Sequence, residues 1–109
     1  MARYDVYINP QGSGFLLNVQ SDLLEELTTR VVIPLLPQSE NLKLPRRLNP
    51  LFVIDGKPYK MVTNLIAAIP LSELGQPRAN FLNHHDDIVA ALDMLFQGFG
   101  SAHPSARRA

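Results

Sequence analysis

The run Leu51-Phe52-Val53-Ile54-Asp55-Gly56-Lys57-Pro58-Tyr59-Lys60-Met61-Val62 holds the clearest structural signal in the chain. Asp55-Gly56 stands between two strand-like segments, and an Asp-Gly pair supplies the positive φ values that a tight primed turn requires. The run therefore predicts a β-hairpin. Pro58 has no N–H to give to a ladder, which puts it at a sheet edge or beside the turn. Upstream, Tyr4-Asp5-Val6-Tyr7-Ile8 alternates in polarity with period two, breaks at Asn9-Pro10-Gln11-Gly12-Ser13-Gly14, and resumes as Phe15-Leu16-Leu17-Asn18-Val19-Gln20. That spacing predicts a second hairpin with a loose, turn-rich loop. Arg30-Val31-Val32-Ile33 is a short β-branched run closed by Pro34 and followed by Leu35-Leu36 and a polar loop from Pro37, and it reads as a further strand. Downstream, Leu65-Ile66-Ala67-Ala68-Ile69-Pro70 is continuously apolar. Periodicity alone fits a fully buried strand or a piece of helix there, and the β-branched residues with the closing proline favour the strand.

The period changes in the last third of the chain. Asn83 is placed to cap a helix whose third position is Asp86, with Asp87 also in the first turn, where negative charge suits the helix dipole. Ile88, Ala91, Leu92, Leu95 and Phe96 then recur at the spacing of one helical face, and Gly98 stands where helices commonly stop. The predicted helix has about three to four turns. Residues 100–109 carry no apolar pattern and read as a flexible tail, leaving a single domain over residues 1–99.

A chain of 109 residues with 46% hydrophobic content is long enough to close one core without metals or disulfides. Lysine plus arginine and aspartate plus glutamate balance at 10 each, so no net charge drives docking onto phosphate backbones or anionic lipid. Direct nucleic-acid binding and membrane binding are disfavoured. The absence of cysteine removes thiolate zinc sites, disulfides and cysteine nucleophiles together, and it suits a reducing cytosol. The amino terminus has no signal-like apolar core, and the apolar runs are too short to span a bilayer, so the chain reads as soluble and cytoplasmic.

His84-His85-Asp86-Asp87 is the one dense group of metal-ligand or acid–base residue types. Adjacent residues on a helix point in different directions, and the partners at i+4 are Ile88 and Val89, so helix capping is the better reading. Gly12-Ser13-Gly14 lies within a hairpin rather than between strand and helix, which makes it turn chemistry and not a phosphate cradle. Arg46-Arg47 near Lys43 is a small basic patch without interleaved aromatics, and reads as a solvated loop. No serine sits in a nucleophile motif. Neither a catalytic residue, a metal nor a cofactor is expected. What stands out is the apolar end of the helix, where Phe96 and Phe99 flank Gln97-Gly98. Spacing leaves two readings open: Phe96 packed into the core with Phe99 left over, or an exposed interaction site.

Several segments together resemble the CcdB family: Val19-Gln20-Ser21-Asp22-Leu23-Leu24, then Arg30-Val31-Val32-Ile33-Pro34-Leu35, then Asn64 to Pro70, then Asp87-Ile88-Val89-Ala90-Ala91-Leu92-Asp93-Met94-Leu95-Phe96 followed by Gly98. The similarity runs in order from Tyr4 to Phe99. It implies a mostly β fold: a small twisted antiparallel sheet forming a partly open barrel of the CcdB/MazF type, with a C-terminal helix. It also implies a bacterial toxin of a toxin–antitoxin system that is not an enzyme. In that family a two-fold homodimer inserts between the arms of the DNA gyrase A subunits, traps the gyrase–DNA cleavage complex as a topoisomerase poison, and is neutralised by a CcdA-like antitoxin. Carried over by position, the gyrase-binding residues are Leu23, Leu24, Asp93, Phe96, Gln97, Gly98 and Phe99.

The chain departs from the family pattern in two places. Where relatives commonly carry tryptophan before the glycine, this chain has Gln97, and it continues ten residues beyond Phe99. Glutamine lacks the flat area that makes tryptophan a strong anchor, so weaker gyrase binding is expected. Two other functions compete with the gyrase poison. One is a MazF-like endoribonuclease on the related fold, which requires a positive groove that this neutral chain lacks. The other is a degenerate homologue that binds antitoxin with little or no toxicity.

Overall fold

A computed structural model describes residues 2–38 and 45–98. Among these residues seven strands form one antiparallel sheet: β1 (Asp5–Ile8), β2 (Phe15–Asn18), β3 (Thr29–Pro37), β4 (Leu51–Ile54), β5 (Lys57–Met61), β6 (Ala67–Pro70) and β7 (Ala79–Asn80). Among the described residues one α-helix, α1 (His85–Gln97), follows them. The sheet curls into an open half-barrel with the order β4-β5-β3-β2-β1-β7, and β6 pairs with β3 off that path. The mostly β plan with a C-terminal helix is the one expected.

The Asp55-Gly56 turn forms as predicted, with φ of 53° and 80° and Ile54 paired with Lys57 across it. Pro58 lies one residue from the turn opposite Val53, beyond the stretch where β5 pairs with β3. The first hairpin is closed by Gly14, whose φ of +89° only glycine adopts easily. A Cβ there would sit 2.1 Å from the Leu35 carbonyl oxygen, so the loop needs glycine for space as well as for angle.

Pro34 does not end β3, which runs on through Pro37. The reason lies in the pairing. One edge of β3 pairs with β2 along Val32 to Leu35, while the opposite edge pairs with β6 through Val32 and with β5 from Leu35. Pro34 sits in the gap where that edge changes partner, so its missing N–H costs no ladder bond. The segment before Pro70 is a strand, but only from Ala67 and after a 3-10 turn at Thr63–Leu65. It is not fully buried: Ala67, Ala68 and Pro70 are exposed, and among the described residues β6 pairs only with β3.

Alternation along the strands makes two apolar layers. Val6, Leu17, Ile33 and Leu35 point with Phe52, Met61, Phe81, Ile88 and Ala91 into the main core, which α1 covers. Tyr7, Leu16, Val32 and Leu74 form a smaller layer on the other face.

The helix begins differently from the expectation. Its N-cap is His84 rather than Asn83, without a side-chain capping bond, because a 3-10 turn at Leu82–His84 leads into it. The polar capping work falls one turn earlier, where Asn80 Oδ1 accepts from the Leu82 N–H at 2.8 Å. Asp86 and Asp87 lie in the first turn as expected, exposed to solvent.

Candidate functional site

Exposed large apolar side chains are spread over the surface, at Ile8, Val53, Leu65 and Leu82 among others, and four of them fall on the two segments that carry the positions assigned by resemblance. The first is the connection from β2 to β3. Ser21 caps a 3-10 turn at Asp22–Leu24 by accepting the Leu23 N–H on its Oγ at 3.1 Å. The Leu24 N–H bonds the Ser21 carbonyl, and the Leu27 N–H bonds the Leu24 carbonyl at 3.1 Å. This turning leaves Leu23 92% exposed and Leu24 and Leu27 each half-exposed. Every residue from Asp22 to Thr29 is exposed, so the connection contributes no side chain to either core layer.

Polar bonds from below hold that connection instead. The Gln20 side chain is nearly buried, donates to the Leu24 carbonyl at 3.1 Å and accepts the Val31 N–H at 3.0 Å. Arg30, 4% exposed, donates to the carbonyls of Leu27, Thr29 and Glu25 at 2.7, 2.8 and 2.9 Å. Asp22 accepts the Arg3 N–H on its carboxylate at 2.8 Å.

The second segment is the end of α1. Ile88 and Ala91 are buried and Leu92 and Leu95 partly so, but Phe96 is 68% exposed. The reading that packs Phe96 into the core is therefore wrong: burial along this face of the helix fades from Ile88 and Ala91 through Leu92 and Leu95 to Phe96. Asp93 is half-buried, and Gln97 and Gly98 are exposed. Gly98 closes the helix with φ of +88° and its N–H on the Met94 carbonyl at 3.1 Å. Phe99, Lys43 and residues 100–109 lie outside the described residues. Of the seven residues assigned by position, the structure thus brings Leu23, Leu24, Phe96, Gln97 and Gly98 to the surface and Asp93 partly so. The turn at Asp22–Leu24 and α1 are not among the extensively packed pairs of elements.

Leu27 is an exposed apolar residue of this surface that the residue pattern alone did not single out, although it follows Leu23 and Leu24 by one turn. Gln20 and Arg30 were likewise read only as parts of strands. Their role could have been suspected from polar residues bracketing a connection that has only outward-facing leucines.

The histidine-acid cluster is occupied structurally. His85 Nδ1 lies 2.7 Å from the Tyr4 hydroxyl, and the His84 ring packs 4.8 Å from that of Phe52 and 5.1 Å from that of Phe81. Among the described residues no three histidine, aspartate or glutamate side chains gather as a metal site. Burial pushes the Tyr7 phenol up to about 12, helped by the Asp5 carboxylate beside it, and burial also raises that of Tyr4 against the pull of Arg3. Both phenols stay protonated near neutral pH and supply no base there. No helix among the described residues is long and apolar enough to cross a membrane.

The chemistry this surface offers is apolar contact on a rigid support, which suits protein recognition. A family model described as CcdB protein matches residues 3–98. With that span and this half-barrel, the chain belongs to the CcdB family, whose members are toxins of toxin–antitoxin systems.

Proposed function

We propose that the protein binds the DNA gyrase A subunit as a homodimer and traps the gyrase–DNA cleavage complex, and that a CcdA-like antitoxin neutralises it. The observation that carries this reading is the exposure of Leu23, Leu24 and Phe96, apolar residues at the positions the family uses for gyrase, with no core role that would account for them. A homodimer supplies what one protomer lacks. Two-fold symmetry presents two copies of each apolar segment to a two-fold target, and an isologous surface fits the paired gyrase arms. The action is binding without turnover, which agrees with a surface built of leucines, a phenylalanine and a glycine rather than of acid–base groups. It takes place in the cytoplasm, where gyrase works. Residues 1–99 make the toxin domain and residues 100–109 a tail beyond it.

The test is a cleavage assay with purified protein, gyrase, ATP and supercoiled plasmid. Covalently trapped linear DNA at micromolar dimer is the expected result, and its absence refutes the poison. Gln97 favours weak potency, because it removes the flat aromatic anchor expected before the glycine. Antitoxin binding with no trapping therefore identifies a degenerate homologue.

A further inference from the structure

We infer that Arg30, working with Gln20, is the positioning residue for the leucine surface: it fixes the backbone of residues 22–28 so that Leu23, Leu24 and Leu27 face outward together. The inference rests on the gyrase reading for what the surface is for, but not for how it is held.

The argument begins with what that connection lacks. Every side chain from Asp22 to Thr29 is exposed, and even Leu24 and Leu27 keep half of their surface in solvent, so the hydrophobic effect holds the segment to the domain only weakly. Its shape must come mainly from hydrogen bonds. Local ones close each turn on the next, but turns alone do not fix where the segment lies over the sheet. The bonds to the body of the fold come from Arg30 and Gln20, joined at the two margins by the Arg3 N–H on Asp22 and the Leu71 N–H on the Thr28 carbonyl at 2.8 Å. Arg30 reaches three carbonyls along the second half of the connection, and Gln20 reaches the Leu24 carbonyl at its middle.

Arginine is suited to this task for a specific reason. Its planar guanidinium offers five N–H donors in a fixed fork, so one side chain bonds carbonyls spread over five residues of backbone. A buried guanidinium is costly unless its donors are used. The folded connection satisfies Arg30, and Arg30 orders the connection, so each state stabilises the other. A surface that is fully exposed yet ordered binds without first losing backbone freedom, which is what preorganisation gains in affinity.

The experiment uses Arg30→Met, close in length but without donors, in the free full-length protein and with the gyrase A arm domain. In the free protein, hydrogen exchange at the amides of Leu23, Leu24, Glu25 and Leu27 is expected to accelerate by about tenfold or more, with the sheet amides of Met61 and Val62 unchanged. Unchanged loop exchange, or equal acceleration in the sheet, overturns the inference. Binding is then read in a double-mutant cycle with Leu23→Ala. If Arg30 acts through the loop, the two losses overlap, and the double variant binds more tightly than the product of the two single losses predicts. Strict multiplicativity overturns the inference. If Arg30→Met does not fold, Arg30→Lys is read in the same way: lysine has donors but no fork, so faster loop exchange is expected, and wild-type exchange refutes the need for arginine. The exchange measurement involves no gyrase, so a wild-type protein that fails to bind the arm domain sinks the gyrase reading and leaves the positioning of the loop to be decided by exchange.

Discussion

Leu23→Ala separates binding from folding more cleanly than any other change in this molecule. Leu23 is 92% exposed and sits on a connection that lends no side chain to the core, so truncating it removes almost no buried contact. Its backbone N–H, which bonds Ser21 Oγ, is kept by alanine. The expected change in unfolding free energy is within about 0.5 kcal/mol, the usual range for surface positions. In a complex the balance reverses. Truncation removes three carbons, and at about 0.8 kcal/mol for each one buried the loss approaches ~2 kcal/mol per protomer that engages the target. With about 1.4 kcal/mol per tenfold, the dissociation constant for the gyrase A arm rises roughly 30-fold. Calorimetric titration of the arm domain measures the binding term, and urea denaturation of the free protein measures the folding term. A 30-fold loss with an unchanged urea midpoint supports the argument. A shifted midpoint means that Leu23 packs in the folded dimer, and unchanged affinity means that the loop does not touch gyrase; either result refutes the reasoning.

Gly14→Ala is expected to destabilise the fold by ~3 kcal/mol or more in urea denaturation, since a left-handed φ costs about 1–2 kcal/mol for alanine and the new Cβ also meets the Leu35 carbonyl. Stability within 0.5 kcal/mol of the parent would show that the first hairpin closes in some other way. Gln97→Trp is expected to tighten gyrase arm binding about tenfold or more, by adding a large exposed anchor beside Phe96 on the last turn of α1; equal binding would remove that turn from the interface. The phenol of Tyr7 is raised in the folded state, so its contribution to stability is fully present below the ordinary tyrosine value near 10 and is lost as pH rises through about 12. Thermal melts between pH 9 and 12 are therefore expected to fall more steeply for the parent than for Tyr7→Phe, and parallel curves would contradict the assignment.

The hairpins were legible because their signals are local. Asp55-Gly56 fixes its own turn type, and period-two alternation fixes which face of β1 and β2 meets the core. What escaped the residue pattern depends on distant partners. Pro34 reads as a stop, because the sequence does not disclose that β3 exchanges β6 for β5 at that residue and so needs no N–H there. The apolar run before Pro70 reads as buried, because what covers the faces of a strand is a property of the fold and not of the run. Phe96 illustrates the limit most directly. It has the right spacing for the buried face of α1, and only the folded chain shows that this face is no longer covered by that turn.

Strand β3 ties these features into one mechanical unit. Its Val32, Ile33 and Leu35 are buried, its Leu35 carbonyl stands where a Cβ on Gly14 would have to go, and it exchanges β6 for β5 as partner at Pro34. Arg30, at its start, lies within the same ladder, opposite Ile69. The guanidinium that holds the leucine connection is therefore anchored in a strand that pairs with β2, β5 and β6 rather than in another loop. An exposed apolar surface is a liability if it is free to rearrange, because it then offers itself to any partner. On the reading proposed above, fixing that backbone from a central strand lets the same residues stay exposed and still present one shape to gyrase.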